Sequence, residues 1–193
     1  SSTHGTADPH GRYYTPDDLA AKLVGLLPLY HGTRVLEPHA GGGAFVRALM
    51  AVGCYVSAND INPHAPALAD WVGDHTSDGD FLSIMPAPPW HDQTAWIVGN
   101  PPFQGFERHI DHALTIAPRV AFLLRLAAME SAGRAAMWRR WPLRKVWVLA
   151  ERPSFTGGGT DSAAYGFFWF DREHRGPAEV VPGWSWKGVS DGR

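Results

Sequence analysis

Residues 33 to 52 leave few folds open. Thr33-Arg34-Val35-Leu36-Glu37 has the composition of a short strand. It breaks at once into Pro38-His39-Ala40-Gly41-Gly42-Gly43, and then into Ala44-Phe45-Val46 and a helical pattern to about Val52. A strand, a glycine turn and a helix in that order make the first half of a parallel crossover, and such units are stacked into α/β layers. Successive glycines let the backbone come close to a ligand, and the turn opens a helix N-terminus onto it, so a nucleotide-like molecule is the natural occupant. The dinucleotide pattern GxGxxG would need a glycine where Val46 stands.

The chain continues the alternation. Tyr55 to Asp60 reads as a second strand ending on an acid, where a doubly wound domain places the carboxylate for ribose hydroxyls. Asn62 with Pro63 marks a helix start after it. Trp96-Ile97-Val98-Gly99 is an apolar run short enough for one buried strand, and it delivers Asn100-Pro101-Pro102-Phe103. Each proline has φ fixed at about −65° and no N–H, and residues before proline are pushed out of the α region. The Asn100 side-chain oxygen and the Pro101 carbonyl can therefore both accept from one planar amino group, beside the flat face of Phe103. Phe106 to Leu114 has helical spacing. Val120 to Leu126 reads as a fifth strand, with a basic helix following to about Arg140, and Val146 to Ala150 as a sixth. Arg152 to Ser162 is a glycine-containing polar loop leading into the aromatic strand Ala164 to Asp171, an antiparallel hairpin at a sheet edge. The expectation is an α/β fold: a doubly wound, mostly parallel seven-stranded sheet with one antiparallel edge strand and helices on both faces. Near the start, Thr15 suits an N-cap and Pro16 the first position of a helix running to about Leu27.

Several stretches carry a family resemblance. Asn100-Pro101-Pro102-Phe103 resembles the catalytic motif of the amino-methyltransferases, which move a methyl group from S-adenosylmethionine to an exocyclic nitrogen. Glu37-Pro38-x-x-Gly41-x-Gly43-x-Phe45 resembles their cofactor loop. Tyr14-Thr15-Pro16 looks like the element that precedes their first strand and touches the methionine end of the cofactor. By this resemblance Glu37 reads the methionine ammonium, while Pro38, Ala40, Gly41, Gly43 and Phe45 form the loop beneath the sugar. Asp60 and Ile61 belong to the ribose side, Asp80 and Phe81 meet the adenine, and Asn100 sits where cofactor and substrate join. Phe155 becomes a second wall of the base pocket. The order of Tyr-Thr-Pro, cofactor loop and Asn-Pro-Pro-Phe is similar to that of N6-adenine methyltransferases acting on DNA. RNA adenine, a protein glutamine amide, and an inactive cofactor-fold binding module remain open as alternatives. Such enzymes often carry a target-recognition domain, for which 193 residues leave no room, so a separate specificity partner is a further expectation.

Composition bounds the rest. With 45% hydrophobic and 19% charged residues, residues 1 to 193 suit one domain, with 1 to 12 flexible. No apolar run approaches a membrane span and no signal pattern opens the chain, so a cytoplasmic location with no membrane partner is expected. The lone Cys54 is assigned no chemistry. His109 and His112 could share a metal, but no cysteine or acid cluster completes a ligand set, and no metal is expected. The net charge of −2 hides an asymmetry: residues 119 to 152 hold eight lysines and arginines against Glu130 and Glu151. Arg139, Arg140 and Arg144, flanked by Trp138 and Trp141, are the expected phosphate contacts of a nucleic-acid substrate. No sequence feature sets an oligomeric state.

Overall fold

Neighbouring residues of the central strands go to opposite sides of one sheet, and this period of two sets the layers of the molecule. The computed structural model describes residues 14–85, 93–155 and 163–188. Trp96 and Val98 enter one core, and Ile97 enters the other. Ala121 and Leu123 part in the same way from Val120, Phe122 and Leu124, as do Phe167 and Trp169 from Phe168 and Phe170. Strands buried on both faces read as continuous apolar runs, which is why β4 (Trp96–Gly99) and β5 (Arg119–Arg125) were so legible. The first core is closed by α1 (Asp17–Val24), α2 (Ala44–Ala51) and the short α3 (Pro66–Ala69). The second is closed by α4 (Phe106–Ile116) and α5 (Ala135–Arg140).

With β1 at Arg34–Glu37, β2 at Tyr55–Asp60, β3 at His75–Asp78, β6 at Leu143–Leu149, β7 at Tyr165–Asp171 and β8 at Glu179–Trp184, the strand order is β3-β2-β1-β4-β5-β7-β6-β8. The α/β class and the mostly parallel sheet with one antiparallel strand stand as expected. The number of strands does not: the described residues form eight rather than seven. The eighth, β8, pairs in parallel with β6 and carries Pro182, which a strand tolerates at an edge because its missing N–H there leaves no ladder bond unmade. The antiparallel β7 has β5 on one side and β6 on the other, and every one of its residues is buried. An aromatic strand covered on both faces is stable in that interior position. β3 reads His-Thr-Ser-Asp and lacks apolar alternation, since it is a half-exposed edge.

Two expected helix starts move. Thr15 does not cap α1: the N-cap position is Pro16, with no side-chain cap bond, and the helix begins at Asp17. Asn62 and Pro63 do not open α3 either. The Asn62 Oδ1 accepts from the His64 N–H at 3.0 Å in a local turn, and the helix starts at Pro66 behind Ala65. The segment after β8 is tied back to the body. Ser185 Oγ donates to the Glu151 carboxylate, Trp186 N–H to Glu151 Oε2 at 3.2 Å and the Trp186 indole N–H to the Glu151 carbonyl at 3.3 Å. The indole itself is 7% exposed and belongs to the first core. Among the described residues no helix is long and apolar enough to cross a membrane. The expectations for residues 1 to 12, Tyr13 and the Thr156 to Ser162 part of the polar loop lie outside the described residues.

Candidate active site

The carboxyl ends of β1, β4 and β5 end side by side, and a cavity of about 570 Å³ opens over them. Crevices beyond the strand ends, where the strand order reverses, are the usual ligand sites of such sheets. Here the reversal lies between β1 and β4. Asp60, Ile61, Asp80 and Phe81 line one part of the cavity, and Asn100 to Gln104, Arg125, Phe155 and Tyr165 line another. A smaller hollow beside it is walled by Thr15, Glu37, the 39–42 loop, Phe45 and Asn100. Chain segments far apart in sequence are thus brought to one place.

Glu37 ends β1 at 2% exposure, with Oε1 accepting from the His39 N–H at 2.8 Å. Burial pushes its carboxyl up to about 8; the His39 bond opposes this shift and the nearby Asp60 adds to it. The described residues form no ion pair with it. Gly99 is what lets Glu37 lie there, since a Cβ at 99 would overlap the carboxylate. Nothing in the Trp-Ile-Val-Gly run signals that requirement. The glycine loop is packed from above by Tyr14: a Cβ on Gly41 would stand 2.8 Å from the Tyr14 ring, and Gly41 has φ +50°. Gly43, at φ +87°, is the N-cap of α2.

Asp60 fixes this loop. Its Oδ2 accepts from the Gly41 N–H at 2.9 Å and its Oδ1 from the Asn62 N–H at 2.8 Å. Ile61 beside it is 51% exposed, an apolar wall on a polar rim. Asp80 caps the turn Phe81–Ser83 through Leu82 N–H. Phe81 is 2% exposed and enclosed by the rings of His39, His109 and His112. His39 Nε2 and His109 Nδ1 are 2.8 Å apart, and burial lowers His109 to about 4, which keeps it neutral. This histidine pair at the cavity was not visible in the spacing of either residue.

Asn100 is half-buried, and its Nδ2 donates to Thr15 Oγ1 at 3.4 Å, which leaves Oδ1 as the atom available to a donor in the cavity. Thr15 therefore serves the Asn100 corner and not the helix start. Pro101 is buried; Phe103 is 39% exposed, 6.0 Å from Phe106 and with the Arg125 guanidinium 4.7 Å over its ring. Phe155 is buried against Tyr165 at 5.0 Å. Pro38 lines the cavity just after β1, whereas Pro16 is placed at the start of α1 and is not in the lining of either hollow.

The basic residues chosen from sequence are not at this cavity. Arg144 lies near the start of β6, beside Asp171 and over Trp169, at the opposite end of the sheet. A seven-residue strand spans ~20 Å, so phosphates at the cavity mouth are out of its reach. Arg140 pairs with Asp111 at 3.0 Å, and Arg139 is exposed beside it at the end of α5. A charge run read along the sequence cannot show which acids the fold sets against it.

No family model matches the chain. It is 35% identical over 96 residues to the type II methyltransferase M.TthHB8I of Thermus thermophilus, a match covering 48% of this chain and 21% of the relative. The matched stretch thus spans about a fifth of that protein's length. The 23S rRNA methyltransferase ErmE superposes with a TM-score of 0.64 at 18% identity, over 84% of this chain and 70% of that one. A TehB-like S-adenosylmethionine-dependent methyltransferase from Corynebacterium glutamicum superposes at 0.56 with 15% identity, over 80% and 87%. The chain has the class I methyltransferase fold. In this chain the glycine loop after β1 and the corner after β4 face one crevice. Gly41→Ala should cost ~1 to 3 kcal/mol of stability through strain at positive φ and the Tyr14 contact. Gly32→Ala, with φ +82° but nothing within 4 Å, should show the backbone part alone. Thermal unfolding of the two variants measures the difference. Equal losses would remove the Tyr14 contact from the argument.

Proposed function

We propose that the chain is an S-adenosylmethionine-dependent methyltransferase acting on the exocyclic N6 of adenine in nucleic acid, DNA before RNA. The observation that carries this is one crevice in which a buried acid and a glycine loop meet the Asn-Pro-Pro-Phe corner. The residues present fit the cofactor. Glu37 is a buried carboxyl that an ammonium would ionise, Gly41 and Gly42 offer bare backbone under Tyr14, and Ile61 offers an apolar wall to a purine. When bound there, the cofactor supplies an electrophilic methyl group.

The chain's own part is positioning. Asn100 Oδ1 and the Pro101 carbonyl accept from the two N–H groups of the amine, which draws its lone pair out of conjugation with the ring, and Phe103 holds the base by stacking. No strong base is required, because the nitrogen loses its proton to water after its charge has formed. In a duplex the base must first be flipped out. A separate specificity partner would supply sequence recognition. The curated relative acts, by its name, as a type II methyltransferase, and one structural neighbour acts on rRNA; both support a nucleic-acid substrate.

The test is transfer of labelled methyl from S-adenosylmethionine to duplex DNA, single-stranded DNA, RNA and a protein extract in parallel. N6-methyladenine in the nucleoside digest is the expected product. Label confined to protein would overturn the substrate, and cofactor binding without any transfer would leave a binding module.

A further inference from the structure

Two loops that line the crevice leave the sheet from different strands. The glycine loop follows β1, and Gly79-Asp80-Phe81 follows β3. β2 lies between those strands, and its pairing with β1 ends at Ala58 opposite Glu37. Beyond that register the joining is done by Asn59, which is 1% exposed. Its Nδ2 donates to the Pro38 carbonyl at 3.3 Å and to the Gly79 carbonyl at 3.0 Å, and its own main-chain carbonyl accepts from the Ala40 N–H at 2.8 Å. Carbonyls only accept, so the amide nitrogen has to face them, and the amide oxygen is left to take the Ser77 hydroxyl at 2.9 Å. One buried amide is thus bonded to both loops and is held in its orientation by β3.

We propose that Asn59 is a positioning residue that couples the two halves of the cofactor site, by fixing the span between the loop for the methionine end and the loop for the adenine. The inference rests on the S-adenosylmethionine reading above, in which one ligand touches both loops, and it assigns the residue that sets their separation. A ligand that bridges two loops gains its second contact cheaply only where the separation is already correct. A ligand seated on one loop does not draw on that separation. A fully satisfied buried amide holds such a distance well, because moving either loop breaks a hydrogen bond that water does not replace. An aspartate of the same size could not do this, since it offers no donor to the two carbonyls and would place a charge next to Asp60.

The experiment measures, by calorimetry on wild type, Asn59→Ala, Ser77→Ala and Ser77→Thr, the Kd for two ligands. S-adenosylhomocysteine carries both the amino-acid end and the adenine; 5′-methylthioadenosine keeps the adenine and ribose and lacks the amino-acid end. Asn59→Ala should raise the Kd of the first about 30-fold and of the second about threefold, the difference being the coupling between the loops. Ser77→Ala leaves the two carbonyl bonds in place and frees the amide to turn, so it should raise the first about fivefold and leave the second unchanged. Ser77→Thr keeps a hydroxyl and should restore most of that loss. A residue that only supports the fold would weaken both ligands by the same factor, so equal factors in Asn59→Ala would overturn the coupling. Should Asn59→Ala fail to fold, Ser77→Ala carries the same comparison, and equal factors or no change there would overturn it. Wild type that binds S-adenosylhomocysteine as tightly as both variants do would overturn the coupling and leave the cofactor reading standing. Wild type that binds neither ligand would overturn both.

Discussion

Asn100→Ala should lose 10²- to 10³-fold in the rate of methyl transfer, about 3 to 4 kcal/mol, while cofactor and nucleic-acid binding survive. The reason is the geometry of the corner. Asn100 is half-buried, with its amide nitrogen on Thr15 and its oxygen left for the amine, so the lost group matters most when charge develops on that amine. Asn100→Asp should be milder, because a carboxylate oxygen still accepts. Thr15→Val should fall between wild type and Asn100→Ala, since it removes the orienting contact and keeps the acceptor. Single-turnover kinetics with bound cofactor measures all three. An Asn100→Ala variant turning over at the wild-type rate would make the corner a structural turn only.

The second large effect is expected at Glu37. Burial holds this carboxyl at about 8 against an ordinary 4.5. Between those values the folded protein keeps a proton that the unfolded chain has released, so stability falls as pH rises through that window and levels off above it. Glu37→Gln has no proton to lose. It should be more stable than wild type at pH 8, by an amount on the order of a few kcal/mol. Its affinity for S-adenosylmethionine should move the other way. An ammonium stabilises the ionised acid, so binding below pH 8 should release a proton, and the glutamine variant should lose about 2 to 4 kcal/mol of binding. Calorimetry in two buffers of different ionisation enthalpy counts the proton, and urea unfolding against pH reports the stability. Equal heats in both buffers together with an unchanged Kd would remove Glu37 from the ammonium site.

Much of this was legible because the strongest signals are local. The glycine turn after β1, the acid closing β2 and the proline pair after β4 each dictate a backbone path from a few adjacent residues, and the structure brings all three to one crevice. What could not be read is relational. Gly99 looks like an ordinary strand residue until Glu37 is laid across it. Thr15 had the composition of a cap, yet its hydroxyl meets a side chain 85 positions away. His39 and His109 find each other across 70 residues, and Arg125 meets Phe103 only when β4 and β5 are paired. The placement of the basic run is relational in the same way: Arg140 and Arg144 face Asp111 and Asp171, which come from other elements, and distance along the sheet is not distance along the chain. β8 hid behind a proline and a glycine that an edge strand accepts.

The tie between Glu151 and Ser185-Trp186 joins the last described strand to the segment that goes on to Phe155. Mechanically, that segment is a bracket fastened where it leaves the sheet: by β6 itself and, through Glu151, by an indole anchored in the core. The bracket holds the aromatic side of the crevice, where Phe155 rests on Tyr165. Shortening the protein behind Asp171 would therefore undo one of its two fastenings and slacken a wall far from the cut. An expression boundary or a fused tag belongs beyond Lys187, where it leaves the bracket under load.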